Sequence, residues 1–406
     1  MNTALIEIRE EINKMTEIKC PVCRSLNCYT FLELSGIPVH CNLIRKTYED
    51  ALNSPRENIN LAFCNNCTHV FNSDFNPDQM SYDECYENSL HFSPKFQEYA
   101  NWLADQLIER RNLRNKTIIE IGCGKGDFLR LICEKGINNC IGFDKSYEEE
   151  ETDKVRPTSI KFIKDFYSED YAHYKPDFII CRHVLEHIYN PGNFLNMVRQ
   201  TIDDQYDTIV FFEVPNLLWT LRDLSIWDII YEHYSYFSSI SFTQLFLRCG
   251  FRIHAIYETY QNQFLCIEAS PDKDLARNIP FEIITSGEIK RYADTFADKL
   301  NEKVLEWKIK LEKIKQRNQK VVLWGAGSKG VTFLNILKVG DMVEYVVDIN
   351  PRKQGMYVSG SGQKIVSPSF LKDYKPDIVI VMNPVYLDEI KDDISSLGLR
   401  ARVVPV

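Results

Sequence analysis

The chain has 406 residues, a net charge of −9, and 44% hydrophobic against 26% charged residues. This length predicts two or three domains, and the composition is that of an ordinary globular protein. No apolar run is long enough to cross a bilayer, which argues against a membrane partner. The excess of acidic residues argues against nucleic acid, whose phosphates select basic surfaces.

The 13 cysteines accompany an N-terminal stretch without the basic and apolar layout of a signal peptide. This combination is typical of cytoplasmic proteins whose thiols stay reduced or bind metal. We therefore expect a cytoplasmic protein that acts on small molecules.

The first block, residues 1–80, begins with a polar stretch at 5–14 that predicts a short helix. Two Cys-x-x-Cys knuckles follow, and their four thiolates predict a closed tetrahedral zinc site that helps a small β-rich module to fold. With no open coordination position, the zinc is expected to be structural. The predicted ligands are Cys20, Cys23, Cys64 and Cys67. The neighbouring side chains expected to be bystanders are Cys28, Cys41 and His69.

The second block, residues 81–275, alternates strand-like and helix-like segments and ends in a hairpin. This order predicts an α/β fold with a doubly wound sheet and an antiparallel edge. The predicted strands are residues 117–121, 139–144, 160–163, 177–181, 208–213, 252–259 and 263–269.

A glycine-rich turn follows the first of these strands, and the next strand ends in Asp144, about 20 residues further on. Glycines let a ligand approach the backbone, and an acidic side chain at this distance holds ribose hydroxyls in nucleoside-binding folds. The turn carries Glu120, Gly122, Gly124 and Gly126. This arrangement resembles the S-adenosylmethionine site of class I methyltransferases, which commonly read Glu-x-Gly-x-Gly-x-Gly here. The resemblance places the methionine portion near Gly122 and Gly124, the ribose on Asp144 and the adenine near Asp165; the alternative is a tight turn that binds nothing.

Residues 276–318 predict a long linking helix, because apolar residues recur every three or four positions from 286 to 318. We expect it to pack across the domains, with a coiled-coil dimer seam as the alternative. Residues 319–406 predict a second, smaller Rossmann-like unit. Its turn, Gly325-x-Gly327-x-x-Gly330, has the dinucleotide spacing, and Asp348 stands where a ribose ligand would lie.

Two histidine-bearing segments are expected beside the methyl donor. His187 follows the fourth strand, at the edge where open α/β sheets bind ligands. His233 lies next to Glu232 among aromatic residues. Methylation of carbon needs a base that removes a proton beside a ketone, and His233 with an assisting Glu232 predicts such a base.

Five motifs follow one another along nearly the whole chain: the cysteine knuckles, the donor turn, His-Val-Leu-x-His, Glu-His-x-x-Tyr-Phe-Ser and a terminal Gly-Ala-x-x-Lys-Gly. In this order they resemble the sugar C-methyltransferases. The resemblance implies a nucleotide-linked, dTDP-type 4-keto deoxysugar as the small-molecule partner. It further implies proton abstraction by Glu232 and His233, with His187 near the keto group and Tyr86 approaching the sugar. The family commonly has a tyrosine where this chain has Ile230, so either Tyr231 substitutes or the acceptor differs.

The family resemblance makes the C-terminal unit a wall of the acceptor cleft without a redox cofactor, with Lys329 on the sugar nucleotide's diphosphate. A plain strand-to-helix turn at 325–330 is the alternative. For the whole chain, the alternatives are an O- or N-methyltransferase on a sugar or other small metabolite, an NAD-dependent oxidoreductase and a non-catalytic zinc scaffold.

Overall fold

The computed structural model describes residues 18–43, 45–80, 86–148, 160–273 and 286–406. The helix expected at 5–14 lies outside these residues. Across the described ranges, no helix is both long and apolar enough to span a membrane.

The N-terminal block forms a four-stranded antiparallel sheet in the order β1-β2-β3-β9. Its own strands are β1 (Cys28–Pro38), β2 (Arg56–Cys64) and β3 (Val70–Asn72), with the helix α1 (Tyr48–Leu52) between the first two. The fourth strand, β9 (Ser235–Tyr236), comes from the second block, and its Tyr236 pairs with Val70. The small sheet is therefore tied directly to the segment that follows Glu232 and His233.

The central sheet has seven strands in the order β10-β11-β8-β7-β4-β5-β6. Strands β4 to β8 pair in parallel, and β10 and β11 form the antiparallel edge. The strands are β4 (Thr117–Ile121), β5 (Asn139–Phe143), β6 (Ile160–Ile163), β7 (Phe178–Arg182), β8 (Ile209–Pro215), β10 (Phe251–Thr259) and β11 (Phe264–Pro271). The helices are α2 (Pro94–Arg111), α3 (Asp127–Gly136), α4 (Pro191–Ile202), α5 (Leu217–Arg222) and α6 (Ser239–Arg248).

Strands β4 and β7 are almost continuously apolar and buried, as expected for parallel strands covered by helices on both faces. The chain runs outward from β4 to β6, then returns to the other side of β4 with β7 and β8. This reversal opens a crevice between β4 and β7, where open α/β sheets bind ligands. The predicted α/β fold with a class I methyltransferase sheet is confirmed.

The long helix α7 (Ser286–Gln316) places an apolar face against the rest of the chain. Its buried residues are Ile289, Ala293, Phe296, Leu300, Trp307, Leu311 and Ile314. The apolar periodicity therefore serves packing within the chain.

The C-terminal unit is a five-stranded parallel sheet in the order β14-β13-β12-β15-β16. Its strands are β12 (Val321–Trp324), β13 (Tyr345–Val347), β14 (Lys364–Val366), β15 (Ile378–Val381) and β16 (Arg402–Pro405). Its helices are α8 (Ser328–Leu337), α9 (Leu371–Tyr374) and α10 (Leu387–Ser396). The strand order repeats that of the parallel part of the central sheet, so this unit too has a reversal beside its first strand.

Candidate active site

A cavity of about 700 Å³ lies between the carboxyl edges of the two parallel sheets. One wall carries the turn after β4 and the other the turn after β12, and residues 86–93 also line it. Both glycine-rich turns that the sequence predicted as ligand sites therefore line the same cavity.

The donor-side turn depends on glycine at three positions. Gly122 has φ +70°, and a Cβ there would lie 2.2 Å from Val184 Cγ2. Gly124 has φ +56°, and a Cβ there would meet no atom within 4 Å, so open space lies in front of the backbone. Gly126, at φ +82°, precedes the first residue of α3. The turn thus offers an exposed backbone to a ligand, as the sequence predicted.

Asp144 ends the neighbouring strand and stabilises this turn. Its Oδ2 accepts a hydrogen bond from Gly124 N at 2.8 Å, and its Oδ1 accepts from Ser146 N at 2.8 Å. The carboxylate is thereby held at the cavity wall, where its remaining lone pairs could receive ribose hydroxyls. Asp165, after β6, also lines the cavity, and a hydrogen bond from Tyr171 lowers the pKa of its carboxyl.

Glu120 is a buried acid at the cavity wall. Burial raises the pKa of its carboxyl to about 8, and the charge of Arg182 only partly opposes that effect. Its Oε2 has no hydrogen-bond partner among the described residues. A positively charged ligand group would satisfy this oxygen, and S-adenosylmethionine carries both an ammonium and a sulfonium.

A network at the ends of β7 and β8 reaches the cavity through Arg182 and His183, and the sequence did not predict its roles. Arg182 Nη2 donates to Glu213 Oε1 at 2.9 Å, and Tyr99 donates its hydroxyl to Glu213 Oε2. His183 Nε2 lies 2.9 Å from Glu213 Oε1. Burial works against ionisation of Glu213, yet Arg182 and His183 lower the pKa of its carboxyl to about 2. Glu213, the acid that ends the predicted strand 208–213, was the sequence signal for this network.

His183 is constrained more tightly than its place in the sequence suggests. Its φ is +54°, a conformation that non-glycine residues rarely adopt and that clusters at functional sites. Burial disfavours the imidazolium, but Glu186 and Glu213 raise the pKa of His183 to about 9. This histidine is therefore a fixed cation near neutral pH, which makes it unsuitable as a base.

His187 and His233 meet at the cavity, with ring centroids 5.0 Å apart. His187 Nδ1 lies 2.9 Å from the Glu232 carbonyl oxygen. His233 Nδ1 is buried without a hydrogen-bond partner in the part of the chain that the structure describes. Burial and the neighbouring His187 hold the pKa of His233 well below its usual value, so the ring is neutral.

Glu232 does not orient His233 in the way that the sequence predicted. Its fully buried carboxylate accepts hydrogen bonds from Cys41 N at 2.5 Å and from Asn42 N at 3.4 Å. Tyr86 donates its hydroxyl to the other oxygen at 2.6 Å. Glu232 is outside the cavity lining, whereas Tyr86 and His233 are part of it. The carboxylate is therefore connected to the cavity through Tyr86 and Asn42, which both line it.

Glu186, His187 and His233 also form a group whose potential ligand atoms lie within 4.8 Å of one another, close enough to hold a metal ion. Of this group, His187 already uses Nδ1 on a backbone carbonyl.

Tyr231 is not brought to the cavity. Its hydroxyl accepts a hydrogen bond from Asn76 N at 2.8 Å, and its ring stacks on Phe75 with centroids 5.3 Å apart. The N-terminal module holds this side chain outside the cavity lining, which does not support the expectation that Tyr231 substitutes at the acceptor site. Ile230 does line the cavity.

The four predicted zinc ligands converge, with their sulfurs within 4.8 Å of one another. Cys20 Sγ lies 3.5 Å from Cys67 Sγ, and Cys23 Sγ lies 3.4 Å from Cys64 Sγ. Four thiolates at this separation suit a closed tetrahedral site.

The C-terminal turn repeats the donor-side arrangement. Asp348 Oδ2 accepts from Ala326 N at 2.8 Å, as Asp144 does from Gly124, and Gly325 has φ +114°. Lys329 lies in this turn and lines the cavity, but its Nζ is paired with Asp228. The diphosphate role expected of Lys329 would therefore require this ion pair to break.

Comparison with known proteins agrees with this geometry. Residues 95–256 match the model of a methyltransferase domain, and residues 281–400 match that of a C-methyltransferase C-terminal domain. No curated protein matches the chain. The chain is an S-adenosylmethionine-dependent methyltransferase that carries a C-methyltransferase C-terminal domain.

Solved structures with a similar fold include magnesium protoporphyrin IX methyltransferase from Synechocystis PCC 6803, whose sequence is 16% identical to this chain. The match covers 44% of this chain and 84% of that one, with a TM-score of 0.35. Another is 1,6-didemethyltoxoflavin-N1-methyltransferase from Burkholderia thailandensis, 12% identical, covering 44% of this chain and 80% of that one at 0.35. A methyltransferase from Mesorhizobium loti is 15% identical, covering 42% of this chain and 97% of that one at 0.33.

Proposed function

We propose that the protein is a C-methyltransferase that adds a methyl group beside the ketone of a nucleotide-linked 4-keto deoxysugar, of the dTDP type. The observation that carries this proposal is that His233 lines a cavity between the donor turn and the C-methyltransferase C-terminal domain, with its ring centroid 5.0 Å from that of His187. A neutral, buried imidazole can remove a proton beside a carbonyl, which heteroatom methylation does not require.

Three residues of the cavity are assigned roles in this reaction: His233, His187 and Tyr86. The imidazole of His233 forms the bond to the proton as the carbon–hydrogen bond breaks, and the electron pair moves onto the keto oxygen. His187 is proposed to lie beside that oxygen and Tyr86 beside the sugar, and the enolate carbon then forms the bond to the transferred methyl. Bound S-adenosylmethionine supplies an electrophilic methyl, and its thioether leaves with the electron pair. The proton stays on His233 until solvent removes it.

Glu232 is proposed as a positioning residue. A fully buried carboxylate that accepts from Tyr86 fixes the phenol at the cavity edge. The same carboxylate accepts two backbone amides of the N-terminal module, so that module takes part in building the site.

The metal of the N-terminal module is proposed to be one structural zinc on Cys20, Cys23, Cys64 and Cys67. The four converging sulfurs support this proposal, because they suit a tetrahedral site. A sheet this small has little core of its own, so the metal would contribute to its folding. The module then positions Cys41 and Asn42 for Glu232.

The donor is proposed to bind with its ammonium near Glu120, its ribose on Asp144 and its adenine near Asp165. All three carboxyls line the cavity.

Transfer to carbon is tested by the product. The enzyme is incubated with a dTDP-linked 4-keto deoxysugar and S-adenosylmethionine carrying a ¹³C-labelled methyl, and the product is examined by NMR. A new methyl bonded to the carbon beside the ketone is expected. A methyl on oxygen or nitrogen would instead establish the O- or N-methyltransferase alternative.

A further inference from the structure

Lys353 is a buried lysine at the C-terminal wall of the cavity. It follows β13 in a turn where its backbone N donates to Asn350 O at 3.1 Å. Only 7% of its surface is exposed, and its Nζ donates to Ala326 O at 3.3 Å. Ala326 belongs to the second glycine turn, so the ammonium group lies beside that turn.

Lys353 has no acidic partner among the residues that the structure describes. Within the residues that the structure describes, no carboxylate oxygen lies within 4.0 Å of its Nζ. Other cations of the site have such partners: Arg182 has Glu213, and Lys329 has Asp228. A buried ammonium without a counter-ion is unfavourable, and an anionic ligand would remove that cost.

The adjoining helix end provides further donors to an anion. Helix α8 has ten residues, and Gly327 at its N-cap offers no side-chain cap. A Cβ at Gly327 would meet no atom within 4 Å, so the space before the helix is open. The first amides of a helix bind phosphate readily when a glycine turn lets the ligand approach.

The donor turn provides an internal comparison. Its lysine, Lys125, donates to Glu148 at 2.9 Å and to Ser146 O at 3.2 Å, so its charge is matched. S-adenosylmethionine contains no phosphate, and its turn has no spare cation. The second turn shares the carboxylate-to-amide bond but keeps the charge of Lys353 available.

We propose that Lys353 Nζ, together with the first amides of α8, binds the diphosphate of the acceptor's nucleotide. This inference rests on the proposed function, because it assumes that the acceptor is a nucleotide-linked sugar. A dinucleotide such as NAD offers the same diphosphate chemistry, and the experiment separates the two sources.

The test uses calorimetry on the full-length protein with thymidine diphosphate, thymidine and NADH as probes. Thymidine diphosphate should bind wild type more tightly than thymidine. Lys353→Met should weaken the affinity for thymidine diphosphate by roughly 10- to 100-fold while leaving the affinity for thymidine unchanged. Lys353→Arg should recover most of the loss. Lys372→Met, at an exposed lysine of the same unit, is the matched control and should bind as wild type does.

S-adenosylmethionine affinity reports that each variant is folded, and Lys353→Gln replaces Lys353→Met if the latter fails that check. Unchanged thymidine diphosphate affinity in a folded variant would overturn the role of Lys353. If Lys353→Met loses NADH binding but keeps thymidine diphosphate binding, the site binds the diphosphate of a dinucleotide. That result would overturn the proposal that the site binds the acceptor's nucleotide. If thymidine diphosphate binding depends on Lys353 but no keto sugar is methylated, the proposed function fails while the phosphate site stands.

Discussion

Tyr86 and Glu232, 146 positions apart, share a hydrogen bond of 2.6 Å that joins the cavity wall to a fully buried carboxylate. Glu232 also accepts amides from Cys41 and Asn42, so the bond links the N-terminal module to the catalytic segment. The geometry therefore makes Glu232 a residue that acts through Tyr86.

The pair should behave as one unit under mutation. Tyr86→Phe removes a donor to a buried carboxylate, at a cost of about 1.5–3 kcal/mol, and Glu232→Gln removes the charge that fixes the phenol. Each single variant should lower kcat more than it raises KM, and the double variant should be little worse than the poorer single one. Tyr48→Phe, at an exposed tyrosine, is the control. Independent, additive losses would contradict the coupling.

Donor binding should release a proton from Glu120. The pKa of this carboxyl is raised to about 8, so it is mostly protonated at neutral pH, and a cationic donor favours its ionised form. Donor affinity should rise between about pH 6.5 and 7.5, below the range where the donor's own amine titrates. Calorimetry in buffers of different ionisation enthalpy measures the released proton, and Glu120→Gln should abolish the release. A wild-type protein that releases none would contradict the assignment.

The same raised pKa predicts a stability trend in the free enzyme. Glu120 holds its proton in the folded state up to about pH 8, whereas its ordinary pKa of 4.5 applies after unfolding. The unfolded state therefore binds fewer protons in this window, and stability falls as pH rises through it. The melting temperature of Glu120→Gln should fall less from pH 5 to 8 than that of wild type, as differential scanning calorimetry can measure.

The two turns supply a matched test of the ribose contact. Asp144 and Asp348 each accept an amide of their own turn at 2.8 Å. Asp144→Asn should weaken S-adenosylmethionine binding by about 1.5–3 kcal/mol, because a charge-assisted hydrogen bond is lost. Asp348→Asn should leave donor affinity unchanged. Equal effects of the two substitutions would remove the distinction between the sites.

Metal content tests the cysteine site. Purified protein should contain about one zinc per chain, and Cys20→Ser/Cys64→Ser should lose it and melt at a lower temperature. Cys28→Ser changes a nearby thiol outside the four-sulfur group and should retain the metal. A double variant with wild-type metal content and melting temperature would exclude these ligands.

The sequence predicted what local patterns encode. The strand, turn and acid of the donor site fall within 28 residues of chain, so period and spacing were enough to place Glu120, Gly124 and Asp144. The cysteine knuckles were equally readable, because each supplies a ligand pair from one turn. Strand bounds shifted by one or two residues, as at β8, which continues to Pro215.

Long-range contacts could not be read in this way. Glu232 meets Cys41 across 191 positions, and Lys329 meets Asp228 across 101. Tyr231 faces Phe75 rather than the cavity because β9 pairs with the N-terminal sheet, a pairing that no local pattern announces. Lys353 was also missed, since its significance lies in its burial and in the absence of a counter-ion among the described residues.

The central claim is that His233 removes the proton beside the acceptor's ketone. The direct measurement is solvent exchange of that proton, followed by NMR of the 4-keto sugar nucleotide in D₂O, with S-adenosylhomocysteine in the donor site. Wild type and His173→Gln, which alters an exposed histidine, should exchange the proton at the same rate. His233→Asn should slow exchange by about 10²–10⁴ while keeping its donor affinity. Exchange at the wild-type rate in a His233→Asn protein that still binds donor would contradict the account.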